Sequence, residues 1–475
     1  MLKRCLSLLL MMTALAAFAG CTLGPDFKTP PAAVPAEYKD AGPWQPADPW
    51  ENLPRSAWWE IYNDPILNDL EMRVTSSNQE LQAGLSRVAQ ARASARISRA
   101  DLYPRLDVNG VASRGRTAGD FSPDGRGQTS NFISLPLDLA YEVDLWGRIR
   151  RSVEAAGAEA DAFLADYHGL LLTIQAEVAR LYFGLRTFDE EIAVVRRTIG
   201  LREENLQLVT SRFRGGEISK LDVNRAETEL ATAQADAVGL QRRRTEFENA
   251  LAVLVGLPAS EFSLTARRMD LRPPAIAAGL PAALLQRRPD IARSQRLVAA
   301  ANARIGIAET AFFPAVSLFG SGGFESRGLS SLFDANNRVW ALGPAVSLPI
   351  FEGGRNRANL NRARAAWEET VANYRQQTLV AFQEVEDGLA GLRLLAEQAV
   401  FLDEAVRAAR RAAELSGKRY DAGMVSYLEV VDAERTTLQS ERLAIQLLGA
   451  RLQTSVFLIR ALGGGFDLEA SLASE

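Results

Sequence analysis

The sequence of 475 residues contains only one histidine and two cysteines. A Cys/His zinc site, a disulfide framework and a Ser-His-Asp triad therefore have almost nothing to be built from. The phosphate-binding GxxxxGKS/T, the dinucleotide-binding GxGxxG and the hydrolase GxSxG motifs are absent, which disfavours an ATPase and a serine hydrolase. The net charge of −4 provides no basic surface for nucleic acid. We predict no enzymatic activity, no cofactor, and no catalytic, cofactor-binding or metal-binding residues.

The N-terminus has the features of a secretory signal that ends at a cysteine. Two basic residues precede the apolar run 6–18, and small residues lead to Gly20 and Cys21. This pattern resembles the lipobox of bacterial lipoproteins. It predicts a signal peptide over residues 1–20, cleavage between Gly20 and Cys21, and lipidation of Cys21 with N-palmitoyl and S-diacylglycerol. An ordinary signal peptide with an accidental cysteine is the alternative. In lipoproteins, a residue other than Asp at the position of Thr22 usually directs the protein to the outer membrane.

No later segment has 18 or more consecutive apolar residues, so the sequence predicts no transmembrane helix. Apolar and polar residues instead alternate with period two, most clearly over 133–145. One apolar and one polar face fit lipid outside and water inside a β-barrel, whereas a soluble sandwich is the alternative. The predicted strands cover about 105–114, 132–145, 315–325 and 339–350. Because four strands cannot close a barrel, their open edges must pair with other chains.

The chain contains an internal duplication with a period of about 207 residues. Residues 211–219 recur at 418–426, and residues 147–150 recur at 354–357. We predict a lipidated tail over residues 21–63, a first repeat over 64–257, an equatorial linker over 258–280, a second repeat over 281–463 and a C-terminal tail over 464–475.

Each repeat is predicted to begin with a helix that precedes its strands. Asp64 followed by Pro65 is typical of an N-cap and the first helical residue. The first helix extends to about Ala100, with a break near 76–78. The corresponding helix of the second repeat covers about 289–311.

Two proline-free segments, 148–214 and 355–421, predict helices on the order of 100 Å long. The helices that return from them carry apolar residues at every seventh position, namely Ala226, Ala233, Leu240, Phe247 and Leu254 in the first repeat and Val431, Leu438, Ile445, Leu452 and Ile459 in the second. A strict seven-residue repeat of apolar residues predicts coiled-coil packing. A soluble coiled-coil lipoprotein would explain these helices but not the amphipathic strands.

Several motifs in this order resemble the TolC-like outer-membrane efflux protein family, in its lipoprotein branch that serves resistance-nodulation-division (RND) multidrug efflux systems. The motifs are CTLGPDF at 21–27, YEVDLWG at 141–147, RRPDI at 287–291, FFP at 312–314 and the two repeated hairpin tips. The resemblance covers nearly the whole chain from Cys21 to about Gly465.

The resemblance implies an α+β membrane protein that assembles as a homotrimer. Four strands from each chain form a 12-stranded β-barrel, and long helices continue it as a periplasmic coiled-coil barrel. The implied function is a passive outer-membrane exit duct for drugs and other small toxic compounds. Its implied partners are a periplasmic adaptor (membrane fusion) protein, an inner-membrane RND pump and outer-membrane lipids. A duct for type I protein secretion and a structural coiled-coil lipoprotein without a pore are the alternatives.

The resemblance also assigns roles to two sets of residues. The hairpin tips contact the adaptor, which implicates Gly215, Gly216, Glu217, Ile218 and Ser219 together with Ala422, Gly423, Met424, Val425 and Ser426. Asp432 and Arg435 match the charged motif that closes the periplasmic end in this family. An ordinary i,i+3 surface pair of Asp432 and Arg435 is the alternative.

Overall fold

The structure is a computed structural model that describes residues 22–39, 57–121, 125–276 and 281–465. The predicted signal peptide, Gly20 and Cys21 lie outside the described residues. The chain divides into two compact units. The first combines Arg87–Leu164 and Arg293–Tyr374 with the N-terminal residues up to Pro31, and the second combines Ala32–Ser86, Ala165–Ala292 and the chain from Arg375 onward.

Most of the described chain is helical. The α-helices are α1 (Pro65–Ser77), α2 (Gln79–Ala100), α3 (Arg148–Arg214), α4 (Lys220–Leu254), α5 (Pro281–Arg287), α6 (Pro289–Thr310), α7 (Arg355–Asp421) and α8 (Tyr427–Ala461). Short 3-10 helices cover Trp58–Tyr62, Gly119–Phe121, Ala259–Glu261, Leu329–Ser331 and Ala335–Asn337. Among the described residues, no helix is both long and apolar enough to cross a membrane.

Side-chain caps set the boundary between α1 and α2. The Asp64 carboxylate accepts hydrogen bonds from the backbone N–H of Ile66 at 2.9 Å and of Leu67 at 3.4 Å, at the start of α1. Asn78 has extended backbone angles and ends α1. Its side-chain oxygen accepts from the first turn of α2, including the N–H of Leu81 at 3.0 Å. The break that the sequence predicts near 76–78 therefore results from a capping asparagine.

The strands form one antiparallel sheet. They are β1 (Arg105–Val108), β2 (Val111–Thr117), β3 (Gln128–Val143), β4 (Ala315–Ser326) and β5 (Arg338–Ser347), in the order β1-β3-β4-β5, with β2 also paired to β3. Val108 pairs with Leu137 and Val111 with Ser134, so the register on β3 continues without a shift. The segments β1 and β2 thus occupy one strand position, and the sheet has four positions.

The two faces of the sheet differ in polarity, as the alternation predicts. The register places Asp138 opposite Asp107 on one neighbour and Ser321 on the other, and Ser321 donates a 2.7 Å hydrogen bond to the Asp138 carboxylate. The opposite face carries exposed apolar side chains: Leu106, Val108, Leu137, Leu318, Trp340, Leu342 and Val346. In the described part of the chain, no second sheet covers this face. This arrangement differs from the soluble sandwich that the sequence left as an alternative.

The core of the second unit forms where helices approach at glycines. Tyr182 and Phe183 on α3 are fully buried. A Cβ atom at Gly184 would lie 2.4 Å from the Phe247 ring of α4, and one at Gly449 of α8 would lie 2.2 Å from a side-chain atom of Thr187. A side chain at either position would clash, so the two glycines allow α3 to pack closely against α4 and α8.

Glu71 is a buried carboxyl group on α1. It is fully inaccessible to solvent, and neither of its oxygens has a hydrogen-bond partner within the described ranges. Burial raises the pKa of Glu71 well above its usual value. The folded environment of Glu71 therefore favours its neutral form.

The raised pKa of Glu71 predicts that replacing it with glutamine increases stability in a pH-dependent way. The folded pKa exceeds the unfolded pKa, so the contribution of Glu71 is complete below the unfolded value and is lost as pH rises towards the folded value. The loss is about 1.4 kcal/mol per pH unit. Measured between about pH 4 and pH 8, Glu71→Gln should match the parent protein at the acidic end and exceed its melting temperature by a larger margin once the pH rises above the unfolded pKa. The control is Glu80→Gln, at an exposed position of α2. A constant difference between Glu71→Gln and the parent across this range would contradict the prediction.

Candidate functional site

The two helical hairpins end in turns with the same hydrogen bonds. In the first, the N–H of Glu217 donates to Arg212 O at 3.0 Å, and Gly216 has a φ of +79°. In the second, the N–H of Met424 donates to Arg419 O at 2.9 Å, and Gly423 has a φ of +71°. Each turn reverses the chain through a glycine in the left-handed region. The repeated sequences therefore form repeated tips.

The two tips share one apolar core, which consists of Val209, Val223, Ala226, Tyr420, Tyr427, Val430 and Val431. Ile218 and Val425 pack against this core, and both are half-buried. The other eight residues predicted to contact an adaptor are exposed, and Met424 is 71% exposed. The tips therefore form one surface, in which the two aliphatic residues anchor the turns and their neighbours face outward.

The predicted gate residues lie near the start of α8 and differ in their contacts. Asp432 is exposed, and its carboxylate makes no hydrogen bond or ion pair with the described residues. Arg435 forms an ion pair with Glu229 of α4. The partner of Arg435 is thus Glu229, not Asp432, so the i,i+3 surface pair is not the arrangement in the structure.

Glu229 also pairs with Arg202 of α3, at 3.0 Å, and both side chains are almost fully buried. One heptad further along α8, Arg442 pairs with Glu191 at 3.3 Å and with Asp236 at 3.1 Å. We did not predict these ion pairs from the sequence. A signal was present, because Arg435 and Arg442 are seven residues apart, and so are Glu229 and Asp236. We call these six residues the charge ladder.

Glu434 lies beside the charge ladder. The side-chain amide of Asn205 donates to its carboxylate at 3.0 Å, and burial raises the pKa of Glu434. On α8, the Asp432 side chain is thus exposed, whereas the Glu434 side chain, two residues further along, is half-buried.

A second network attaches the linker to the helices. The buried Asp189 carboxylate lies between two buried arginines, 2.8 Å from Arg186 and 2.6 Å from Arg244. Arg186 also donates to Thr265 O at 2.8 Å. Glu248 accepts a hydrogen bond from the backbone N–H of Leu264 at 2.6 Å. We call Asp189, Arg186, Arg244 and Glu248 the linker clamp.

The segment that follows Cys21 is fixed to the first unit. The N–H of Leu23 donates to Trp146 O at 3.1 Å. Buried Arg151 donates to Leu23 O at 3.0 Å and pairs with Asp26 at 3.1 Å. The indole N–H of Trp146 in turn donates to Pro314 O, and its ring lies 4.9 Å from that of Phe313. This N-terminal segment therefore lies where β3 joins α3.

Among the residues that the structure describes, no group of three or more His, Cys, Asp or Glu side chains is arranged to hold a metal ion.

Comparison with known proteins gives consistent results. The profile described as "Outer membrane efflux protein" matches residues 73–257 and 280–464. The solvent efflux pump outer membrane protein SrpC of Pseudomonas putida is 33% identical over 470 residues, which cover 97% of this chain and 98% of SrpC. Outer membrane protein OprJ of Pseudomonas aeruginosa is 32% identical, over 95% of this chain and 94% of OprJ. The solved structure of the outer-membrane channel OprN has a TM-score of 0.86 at 32% identity, over 94% of this chain and 99% of OprN.

Proposed function

The chain belongs to the outer membrane efflux protein family, and on this basis we propose that three copies of it form the passive exit duct of a tripartite efflux pump. Efflux across the outer membrane is the function of the family. The trimer, the barrel and the identity of the partners are the proposed parts. The observation that carries the proposal is the family match over both halves of the chain.

The geometry of the sheet supports a trimer. Within the described residues, β1, β2 and β5 each pair along one side only, so both edges of the sheet are open. One face is apolar and exposed, as a lipid-facing surface requires. Four strand positions from each of three chains give the proposed 12-stranded barrel, with the polar face inside. The helices then form a periplasmic tunnel below it.

The exposed tips support an adaptor as the periplasmic partner. Eight exposed residues lie on turns whose backbone is fixed by the shared core. Such preorganised turns lose little conformational freedom on binding. An RND-type pump would supply the energy, because the duct itself is passive. The name of SrpC, a solvent efflux pump outer membrane protein, supports small toxic molecules such as solvents as the cargo.

The fixed N-terminal segment supports a lipid anchor at Cys21. The backbone N–H of Leu23, two residues after Cys21 in the sequence, donates a hydrogen bond to Trp146 O. The Trp146 and Phe313 rings are in contact at the junction of strands and helices, where an interfacial aromatic belt is expected. Acyl chains on Cys21 would therefore enter the membrane beside this belt.

Cys21→Ser is expected to abolish lipidation and leave the channel assembled. The serine hydroxyl does not accept the diacylglycerol, whereas the strands and helices retain all their contacts. Metabolic labelling with radioactive palmitate measures the first effect, and SDS-resistant oligomers measure the second. Undiminished palmitate incorporation in Cys21→Ser would refute the lipidation site.

Growth inhibition of a deletion strain tests the function. Dyes, antibiotics, detergents, organic solvents and metal salts are compared with and without complementation. Hypersensitivity to several unrelated small molecules, reversed by the parent gene, is the expected result. Unchanged sensitivity together with loss of a polypeptide from the culture medium would instead indicate type I secretion.

A further inference from the structure

The sheet carries arginine on its apolar face, near the hairpin loops. Directly opposed residues of antiparallel strands share a face of the sheet, and so do alternate residues of one strand. Arg114 of β2 pairs with Asn131 of β3. Arg116 pairs with Thr129, two residues nearer the loop. Both partners lie an even number of residues from Leu137, so the exposed side chains of Arg114 and Arg116 belong to the apolar face.

A third arginine occupies the same face on β5. Arg338, the first residue of β5, pairs with Phe324 of β4. Phe324 pairs with Leu135 of β3, two residues from Leu137. Arg338 is exposed, and the next side chain of β5 on this face is Trp340, which is 80% exposed. The apolar face therefore ends in arginine beside both hairpin loops.

Charges of the two signs are separated between the faces. By the same register, the acidic residues of the strands lie on the polar face: Asp107, Asp138, Glu142 and Glu325. Arg105, the fourth arginine of the strands, also lies there and forms an ion pair with Asp107 at 2.8 Å. The described residues of the hairpin loops carry both signs, through Asp120, Arg126, Arg327 and Asp334. Within β1 to β5, the apolar face thus has positive charge only.

This combination fits a lipid with phosphate groups. A charge that faces lipid is unfavourable at the middle of a membrane and is tolerated near its surfaces. The guanidinium group of arginine binds phosphate through two parallel hydrogen bonds. Basic residues near a membrane surface attract anionic headgroups. A face on which exposed apolar side chains adjoin exposed arginines can therefore hold both the acyl chains and the phosphate groups of one lipid.

We propose that Arg114, Arg116 and Arg338 bind the phosphate groups of lipid A, the acylated and phosphorylated part of lipopolysaccharide in the outer leaflet. The proposal rests on the proposed trimeric duct, whose periplasmic helices put the hairpin loops at the outer surface. Lipid A carries more than one phosphate group, which matches several arginines better than a phospholipid with a single phosphodiester.

The trimer brings arginines of two copies to each junction between chains. Strands β2 and β5 lie at the two open edges of the sheet. Closing the barrel places β2 of one copy beside β5 of the next copy, so both strands contribute arginines to the junction. We call the arginines at one junction the arginine seam.

Native mass spectrometry of the full chain, purified in detergent, tests the proposal. Lipid A is expected to bind saturably, with one molecule for each arginine seam. Phosphatidylglycerol and dephosphorylated lipid A should bind at least about tenfold more weakly. Equal affinity for either of these two lipids would overturn the assignment to lipid A.

Matched triple variants separate the arginine seam from general charge. R114Q/R116Q/R338Q changes three exposed side chains and should still assemble, since none of them is buried. Its dissociation constant for lipid A should rise at least about tenfold. R197Q/R243Q/R411Q removes three exposed arginines from α3, α4 and α7 and should bind like the parent. Equal binding by the two variants would overturn the proposal.

The same spectra separate the lipid surface from the duct, because they give the mass of the oligomer together with its bound lipid. A trimer without saturable lipid A binding would refute the arginine seam and leave the proposed duct intact. A monomer would refute the trimer and, with it, the seam.

Discussion

Replacing Asp189 with alanine is expected to lower the free energy of unfolding by about 3–5 kcal/mol. Asp189 is 2% exposed and neutralises two buried arginines, Arg186 and Arg244. Without it, two guanidinium groups remain in a low-dielectric environment with too few partners. The linker residues 264 and 265 would also lose part of their attachment, since these arginines donate to their carbonyl groups. Thermal denaturation of the detergent-solubilised protein measures the effect.

Asp69→Ala provides the matched control for this substitution. Asp69 pairs with Arg73 at 2.9 Å on the surface of α1, where both side chains are about half exposed. Pairs of this kind contribute about 0–1 kcal/mol. Equal melting temperatures for Asp189→Ala and Asp69→Ala would show that the linker clamp does not stabilise the fold.

Replacing Asp432 with alanine is expected to raise the single-channel conductance several-fold. In the proposed trimer, three copies of this exposed carboxylate converge on the axis and form a charged constriction. The ion pair that Arg435 makes within the described residues is with Glu229 and not with Asp432. Removing the carboxylates widens the constriction and removes their electrostatic effect on passing ions. Recordings in planar lipid bilayers measure the conductance.

The control for the gate is Asp403→Ala, which removes the same charge from an exposed position on α7. This variant should conduct like the parent channel. If Asp432→Ala and Asp403→Ala gave the same conductance as the parent, the constriction would have to lie at other residues. The charge ladder would then be the next candidate, because Arg435 and Arg442 tie α8 to α4.

The helices could be predicted closely from local sequence. The two long helices occupy Arg148–Arg214 and Arg355–Asp421, the same residues that the proline-free segments indicated. Their ends are set by local chemistry, since each terminates just before a glycine-containing turn with left-handed backbone angles. The strand positions also follow from period-two alternation, and the interruption at residues 109 and 110 leaves the register unchanged.

The partners of charged side chains could not be predicted in the same way. The sequence offers an i,i+3 pair of Asp432 and Arg435 as the alternative to a gate, because the two residues are close along the chain. The structure instead pairs Arg435 with Glu229, which is more than 200 residues away. The heptad spacing within the charge ladder showed which charged residues share one face of a helix. It did not show which helix faces contact each other.

The sequence by itself determined the repeat, the helices, the strand alternation and the resemblance to a family, because each is a pattern in the order of residues along the chain. Only the tertiary structure decided that Asp189 lies between two buried arginines. This feature depends on the packing of α3 against α4 and the linker. Burial and pairing arise from that packing, and it joins segments that the sequence keeps far apart.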